Sequence, residues 1–144
     1  MSEVKRRCVI VTGTRRVPSD LCMWGEIMSA VDGAYLVITG GCSGVDQAAG
    51  YLATTVLGLD CLTIPAQWER DGRAAGPIRN QAMIDIAKKL EGFGYEVEGA
   101  AFPYGESRGT RGCIRLMRKA GISVKVVELT EADLEPPAKE KAGL

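Results

Sequence analysis

The chain contains no histidine. That absence excludes Ser-His-Asp and Cys-His triads, histidine-ligated zinc and proton shuttling through imidazole. Any chemistry must use Asp, Glu, Arg, Lys, Ser, Thr, Tyr, Cys or the backbone. Net charge is also missing, because 18 Lys and Arg balance 18 Asp and Glu. A protein that lives on nucleic-acid phosphates carries a basic excess, so nucleic acid is not the expected partner. No apolar run approaches the length of a membrane span, and no membrane partner is expected. The five cysteines, Cys8, Cys22, Cys42, Cys61 and Cys113, form no C-x-x-C pair and are odd in number. With no recognisable signal peptide, this usage predicts a reducing, cytoplasmic setting, and no disulfide or metal site. No resident cofactor is predicted. Internal repeats and a low-complexity core are absent as well.

What is present is an ordinary globular composition, 46% hydrophobic and 25% charged over 144 residues. That length fits one domain with a core of its own. Short β-type runs alternate with amphipathic stretches. Strands are expected at Cys8–Val11, Leu36–Thr39, Cys61–Ile64, Gly99–Phe102 and Ser123–Leu129. Between them, helices are expected from about Pro18-Ser19-Asp20 to Val31, Ser43 to Leu57, Pro77 to Leu90 and Thr110 to Ala120. Ser43 or its neighbour is the expected cap of the second helix, and Gly58 its stop. The segment Glu91–Glu98 reads as a connection with room for a short extra strand. Strands without in–out alternation are buried on both faces. Interleaved with helices, they predict an α/β fold: a Rossmann-like open parallel sheet flanked by helices in three α/β/α layers. Residues 1–129 form the expected domain, and 130–144, with Glu-Pro-Pro and few apolar residues, a flexible C-terminal tail.

In such sheets ligands bind beyond the carboxyl ends of the strands. The unusual residues of this chain follow those ends. The first strand runs into Gly13-Thr14-Arg15. The second runs into Gly40-Gly41-Cys42-Ser43-Gly44-Val45-Asp46, a glycine turn opening a helix, which exposes backbone N–H groups and suits phosphate. Asp46 reads equally as a ligand contact and as a first-turn acid complementing the helix dipole. The third strand leads to a long loop with Trp68, Arg70, Arg73, Arg79 and Asn80. Arg79 near a helix start opposes the dipole, which hints at a ligand or a fixed partner. Trp68 reads more readily as core cover than as a base-stacking platform. The fourth strand leads to Gly105-Glu106-Ser107-Arg108-Gly109-Thr110, a hydroxyl- and amide-rich phosphate cradle. Its literal Gly-x-Ser-x-Gly is no nucleophile elbow, because no histidine exists to serve as base.

Four stretches together resemble a known family: Gly13-Thr14-Arg15, TGGCSGVDQAA at 39–49, PAQWERDGRAAGPIRNQAM at 65–83 and FPYGESRGTRGCI at 102–114. They resemble the YspA-like branch of the SLOG superfamily over nearly all of residues 8–127. Family patterns usually have Gly-Ser-Arg where this chain has Gly13-Thr14-Arg15, and EGFGYEVE is longer than the usual connection. The resemblance implies a Rossmann-like fold and a nucleotide-type ligand at the glycine loops. The superfamily is similar to lonely-guy phosphoribohydrolases, to the DNA-processing protein DprA and to sensors of NAD- or ADP-ribose-derived nucleotides. Lonely-guy enzymes carry acidic residues shortly after their glycine-threonine motif. Here Gly109-Thr110 is followed by Arg111-Gly112-Cys113, so the carboxylate for N-glycosidic cleavage is missing at that place.

The expected function is therefore binding of a small phosphorylated nucleotide, such as an ADP-ribose or NAD derivative, to sense or sequester it. An N-glycosidase, phosphoribohydrolase or ribosyl transferase is the enzymatic alternative, with Asp46, Glu69, Asp71 or Glu106 in the missing acid's place. A DprA-like nucleic-acid binder is the third. A homo-oligomer is compatible with all three. Expected ligand contacts are Gly13, Thr14, Arg15, Gly40, Gly41, Ser43, Gly44, Asp46, Arg79, Asn80, Gly105, Ser107, Gly109 and Thr110.

Overall fold

The computed structural model describes residues 5–19 and 21–136. The β-branched run after Arg7 forms strand β1, Arg7–Gly13. Helix α1 follows at Leu21–Val31, then β2 at Leu36–Thr39 and α2 at Val45–Tyr51, which continues into a wider π-helical turn, Leu52–Val56. Strand β3 is Asp60–Thr63. The long loop is partly helical: α3 spans Trp68–Asp71, a 3-10 turn spans Gly72–Ala74, and α4 runs from Ala75 to Gly92. Strand β4 (Glu96–Phe102), helix α5 (Arg108–Lys119) and strand β5 (Ser123–Val126) complete the sheet and its cover.

All neighbouring strands are parallel, in the order β3-β2-β1-β4-β5. The chain starts at the centre, steps outward to β3, then crosses back over β1 to lay down β4 and β5. Strand order thus reverses between β1 and β4, where a crevice opens beyond the strand ends. Alternate residues of β1 feed two cores. Val9 and Val11 pack with Ile27 and Val31 of α1 and with Val45 and Ala49 of α2. Cys8 and Ile10 pack with Met83 and Ile84 of α4 and with Cys113 and Met117 of α5. This is the α/β/α sandwich expected from the interleaved pattern. Each aliphatic side chain fully buried there contributes about 1.5–3 kcal/mol relative to exposure.

Several boundaries differ from the sequence expectation, each for a physical reason. Only β1, β2 and β4 are buried along most of their length; β3 and β5 are edge strands and stay largely exposed. No extra strand occupies Glu91–Glu98, because Glu96, Val97 and Glu98 extend β4 and pair with Arg7, Cys8 and Val9. The small residues of β4 reflect close helix packing: a Cβ on Gly99 would lie 2.5 Å from Met117 Sδ. Pro77 is the third residue of α4, not the first. The first four N–H groups of a helix have no internal partner, so proline loses nothing there. Of Ser43 and its neighbour, the two expected caps of α2, Gly44 holds the cap position without a side-chain bond, and Ser43 Oγ donates instead to the Arg15 carbonyl at 3.2 Å.

The expected tail is folded back as far as it is described. Leu129 and Leu134 are buried in the core beneath α1 and α2. Pro18 pairs with Leu134 across an antiparallel bridge, and Thr130 and Asp133 form a reciprocal capping box around the turn Glu131–Asp133. Burial of Leu134 in the same core as Leu129 outweighs the low average hydropathy of the stretch between them. Residues 137–144 of that tail, like residue 20 at the expected start of α1, lie outside the described residues. No helix among the described residues is long and apolar enough to cross a membrane.

Candidate functional site

Beyond the carboxyl ends of β1 and β4 lies a cavity of about 370 Å³. Gly13, Thr14 and Arg15 line it from β1, Asp46 from α2, Arg79 and Asn80 from α4, and Ser107, Gly109 and Thr110 from the start of α5. A second cavity, of about 250 Å³, adjoins it. Gly40, Gly41 and Ser43 line that one with Pro65, Ala66 and Trp68. Arg15, Cys42 and Arg79 line both cavities and form the ridge between them.

Each wall is shaped by its local sequence. The turn after β2 needs Gly41, whose φ is +72°; a Cβ there would also lie 2.6 Å from Thr63 Cγ2. The Thr14–Arg16 backbone presses on Gly44, which leaves no room for a side chain. Arg79, half-buried in the second turn of α4, is tied down at three points. Its Nη1 donates to the Gly40 carbonyl at 2.8 Å, its Nε donates to Asn80 Oδ1 at 2.8 Å, and its guanidinium lies 3.7 Å from Cys42 Sγ. Asn80 Nδ2 then donates to the Gly109 carbonyl at 3.3 Å, linking α4 to the start of α5. The cation that seemed misplaced against the helix dipole thus has a fixed partner in the glycine turn.

Helix α5 begins without a side-chain cap, and its first main-chain bond is Arg111 N–H to the Ser107 carbonyl, 2.9 Å. The N–H groups of Arg108, Gly109 and Thr110 therefore have no carbonyl of the helix to bond. Ser107 itself has φ +43°, the one non-glycine residue in the left-handed region among the described residues. Such a conformation costs about 1–3 kcal/mol and persists where surrounding structure enforces it. Arg111 supplies part of that enforcement: its Nη2 donates to the Gly105 carbonyl at 2.7 Å, its Nε to that of Glu106 at 3.1 Å, and both terminal nitrogens pair with Glu128 at 2.8 Å. Arg111 thus braces the loop that leads into α5.

Asp46 is 5% exposed. Its Oδ2 accepts from the Cys42 N–H at 3.2 Å, whereas Oδ1 has no hydrogen-bond partner. Burial pushes the carboxyl up from 3.8 to about 6, against the downward pull of the Cys42 N–H, the Arg79 guanidinium, the Gly40 backbone and Arg15. No salt bridge relieves it among the described residues. Cys113 is fully buried below the cavity, and burial pushes its thiol up to about 11. A thiol so placed is a packing group and no nucleophile. All five cysteines are free, but only Cys8 and Cys113 are buried. No group of three or more Cys, Asp or Glu side chains among the described residues is arranged to hold a metal ion.

The chain is 32% identical over 125 residues to the Gene 61 protein of Mycobacterium phage D29, an alignment that covers 82% of this chain and 94% of that protein. The chain belongs to the Gene 61 protein family. No family model matches it. Two solved structures of the C-terminal domain of the PF1911 hydrogenase from Pyrococcus furiosus (residues 78–226 and 83–215) each cover 88% of this chain. They are covered to 95% and 96%, at 12% and 10% identity and TM-scores of 0.42 and 0.41.

In this Gene 61 family member, nine of the fourteen expected contacts meet in the first cavity and Gly40, Gly41 and Ser43 in the second. Gly44 and Gly105 line neither; Gly44 supports the backbone of residues 14–16, and Gly105, at φ +63°, offers its carbonyl to Arg111. The sequence reading missed Thr12, Cys42 and Tyr104, which line the first cavity. Thr12 and Cys42 sit inside the recognisable strand-end patterns, so their place next to Gly13 and Gly41 was the available signal. Trp68, expected as core cover, is 49% exposed and lines the second cavity. Glu69 and Asp71 line neither cavity, and Asp71 pairs with Arg70 at 2.9 Å.

Proposed function

We propose that this protein binds a small phosphorylated nucleotide, with its phosphate at the start of α5. The observation that carries the reading is the uncapped N-terminus of that twelve-residue helix, opening into a cavity at the strand-order reversal. Unpaired N–H groups and the positive end of the helix dipole favour an anion there. Arg15, Arg79 and Arg108 on the walls add positive charge. The start of α2 suits phosphate less, because the Asp46 carboxylate already occupies its first turn. The two glycine loops thus have different tasks, the one at α5 for phosphate and the one at α2 for the neutral parts of the ligand. This assignment agrees with what resemblance to the YspA-like branch of the SLOG superfamily implies, a nucleotide-type ligand at the glycine loops, and we read the protein as a cytoplasmic sensor or sequestering protein of that ligand. Five free cysteines, Cys22 among them exposed, fit such a reducing compartment.

Thermal denaturation tests the reading. A ligand at about 100 times its dissociation constant adds about 2.7 kcal/mol. Melting with millimolar AMP, NAD, ADP-ribose and cyclic nucleotides should show a clear rise with at least one of them. No rise with any member of the panel contradicts the proposal.

One observation favours a second, enzymatic reading: a carboxyl at about 6 beside the cavity is suited to proton transfer near neutral pH. Chromatography of AMP, NAD and ADP-ribose after incubation with the protein decides between them. The binding reading expects no free adenine or nicotinamide. Multiple-turnover release that Asp46→Asn abolishes would establish the enzyme.

A further inference from the structure

We propose that the second cavity is an aromatic subsite, in which Trp68 stacks on a planar ring of the ligand whose phosphate lies at α5. The inference rests on the nucleotide reading above and extends it to the shape of the ligand. Trp68 opens α3 and belongs to neither hydrophobic core, although tryptophan is the side chain with most to gain from burial. Gly76 leaves space next to the ring edge, where an added Cβ would lie 3.6 Å from Trp68 Cη2. The Arg15 guanidinium lies over the ring, 5.8 Å from its centre, and leaves the opposite face for a ligand ring. An aromatic face flanked by a cation, with Pro65 and Ala66 beside it, is an environment for a flat, polarisable group. The two cavities share Arg15, Cys42 and Arg79, so a ligand with phosphate at one end and a ring at the other crosses the two arginines between them. The ligand class is therefore two-ended: a phosphate ester joined to a heteroaromatic base, in preference to a sugar phosphate alone.

The protein has two tryptophans, and Trp24 packs instead edge-on to Tyr51 at 6.4 Å and against the core. A Trp24→Phe protein therefore reports Trp68 fluorescence alone. Ribose 5-phosphate, AMP and ADP-ribose are titrated into it and followed by both fluorescence and calorimetry. The expected result is that at least one adenine-bearing compound quenches Trp68 and binds about tenfold or more tighter than ribose 5-phosphate. Trp68→Ala should erase that preference without changing the affinity for ribose 5-phosphate, and Trp68→Phe should restore most of it. Equal affinity for all three, unchanged by Trp68→Ala, overturns the subsite and leaves the phosphate site standing. Binding of none of them overturns the nucleotide reading, and the subsite with it.

Discussion

Asp46→Asn separates the cost of the buried carboxylate from every other feature of the fold. In the unfolded chain this carboxyl titrates near its ordinary 3.8; in the folded protein, burial raises it to about 6. Below pH 4 it is protonated in both states and weighs equally on each. Between pH 4 and 6 the folded protein keeps a proton that the unfolded chain releases, so stability falls as pH rises. Above about pH 6 the group is charged in both states and the full penalty is present. At about 1.36 kcal/mol per pH unit, the rise from 3.8 to about 6 corresponds to about 3 kcal/mol. Asparagine carries no charge and can still accept from the Cys42 N–H, but it places an unpaired amide where Oδ1 has no partner. That adds a pH-independent cost of about 1–3 kcal/mol. The diagnostic is therefore the change with pH in the difference between the two proteins. Melting curves of both from pH 4 to 7.5 should show the variant gaining on the wild type by on the order of 10 °C, taking about 2–4 °C per kcal/mol for a chain of this size. A difference constant across that range would show that Asp46 is not held charged at a cost.

Gly41→Val places a branched side chain at φ +72° and a Cβ 2.6 Å from Thr63 Cγ2. Denaturant unfolding should show a loss of at least about 1–3 kcal/mol, and calorimetry with the best ligand of the panel should show no binding; an intact, normally binding variant would free the β2 turn from both roles. Leu134→Ala should cost about 2 kcal/mol or more, because the side chain is buried in the core under α1 and α2; an unchanged unfolding midpoint would mean that the C-terminal segment is not part of the cooperative unit.

The fold was legible wherever local pattern coincides with burial. Cys8–Val11 and Leu36–Thr39 are apolar runs too short for helices, and the positions Leu21, Trp24, Ile27, Met28 and Val31 repeat at helical spacing. The sequence did not show that β4 lands beside β1, because strand order depends on pairing between distant segments. Leu134 escaped notice because a single leucine in a polar stretch has no periodicity. Most of the site was legible because small residues mark the strand ends: Gly41 turns at φ +72°, Gly13 lets α2 approach β1 closely, and Gly109 opens α5. Trp68 was misjudged because an aromatic residue looks the same in a sequence whether it covers a core or lines a cavity. Arg79 was legible as an anomaly on its helix, but the Gly40 carbonyl that holds it is 39 residues away. Asp46 showed itself as a first-turn acid, while its burial and its unpaired oxygen emerge only when β1, β2 and α4 close around it.

Backbone amide chemical shifts of ¹⁵N-labelled protein, titrated with the nucleotide that most raises the melting temperature, test the central claim most directly. Phosphate held by unpaired N–H groups at the start of α5 should move Arg108, Gly109 and Thr110 most, with Thr14 and Arg15 responding across the cavity and the exposed Ser123–Val126 edge unmoved. Saturating shifts concentrated elsewhere, or none at millimolar ligand, would contradict a phosphate site at that helix.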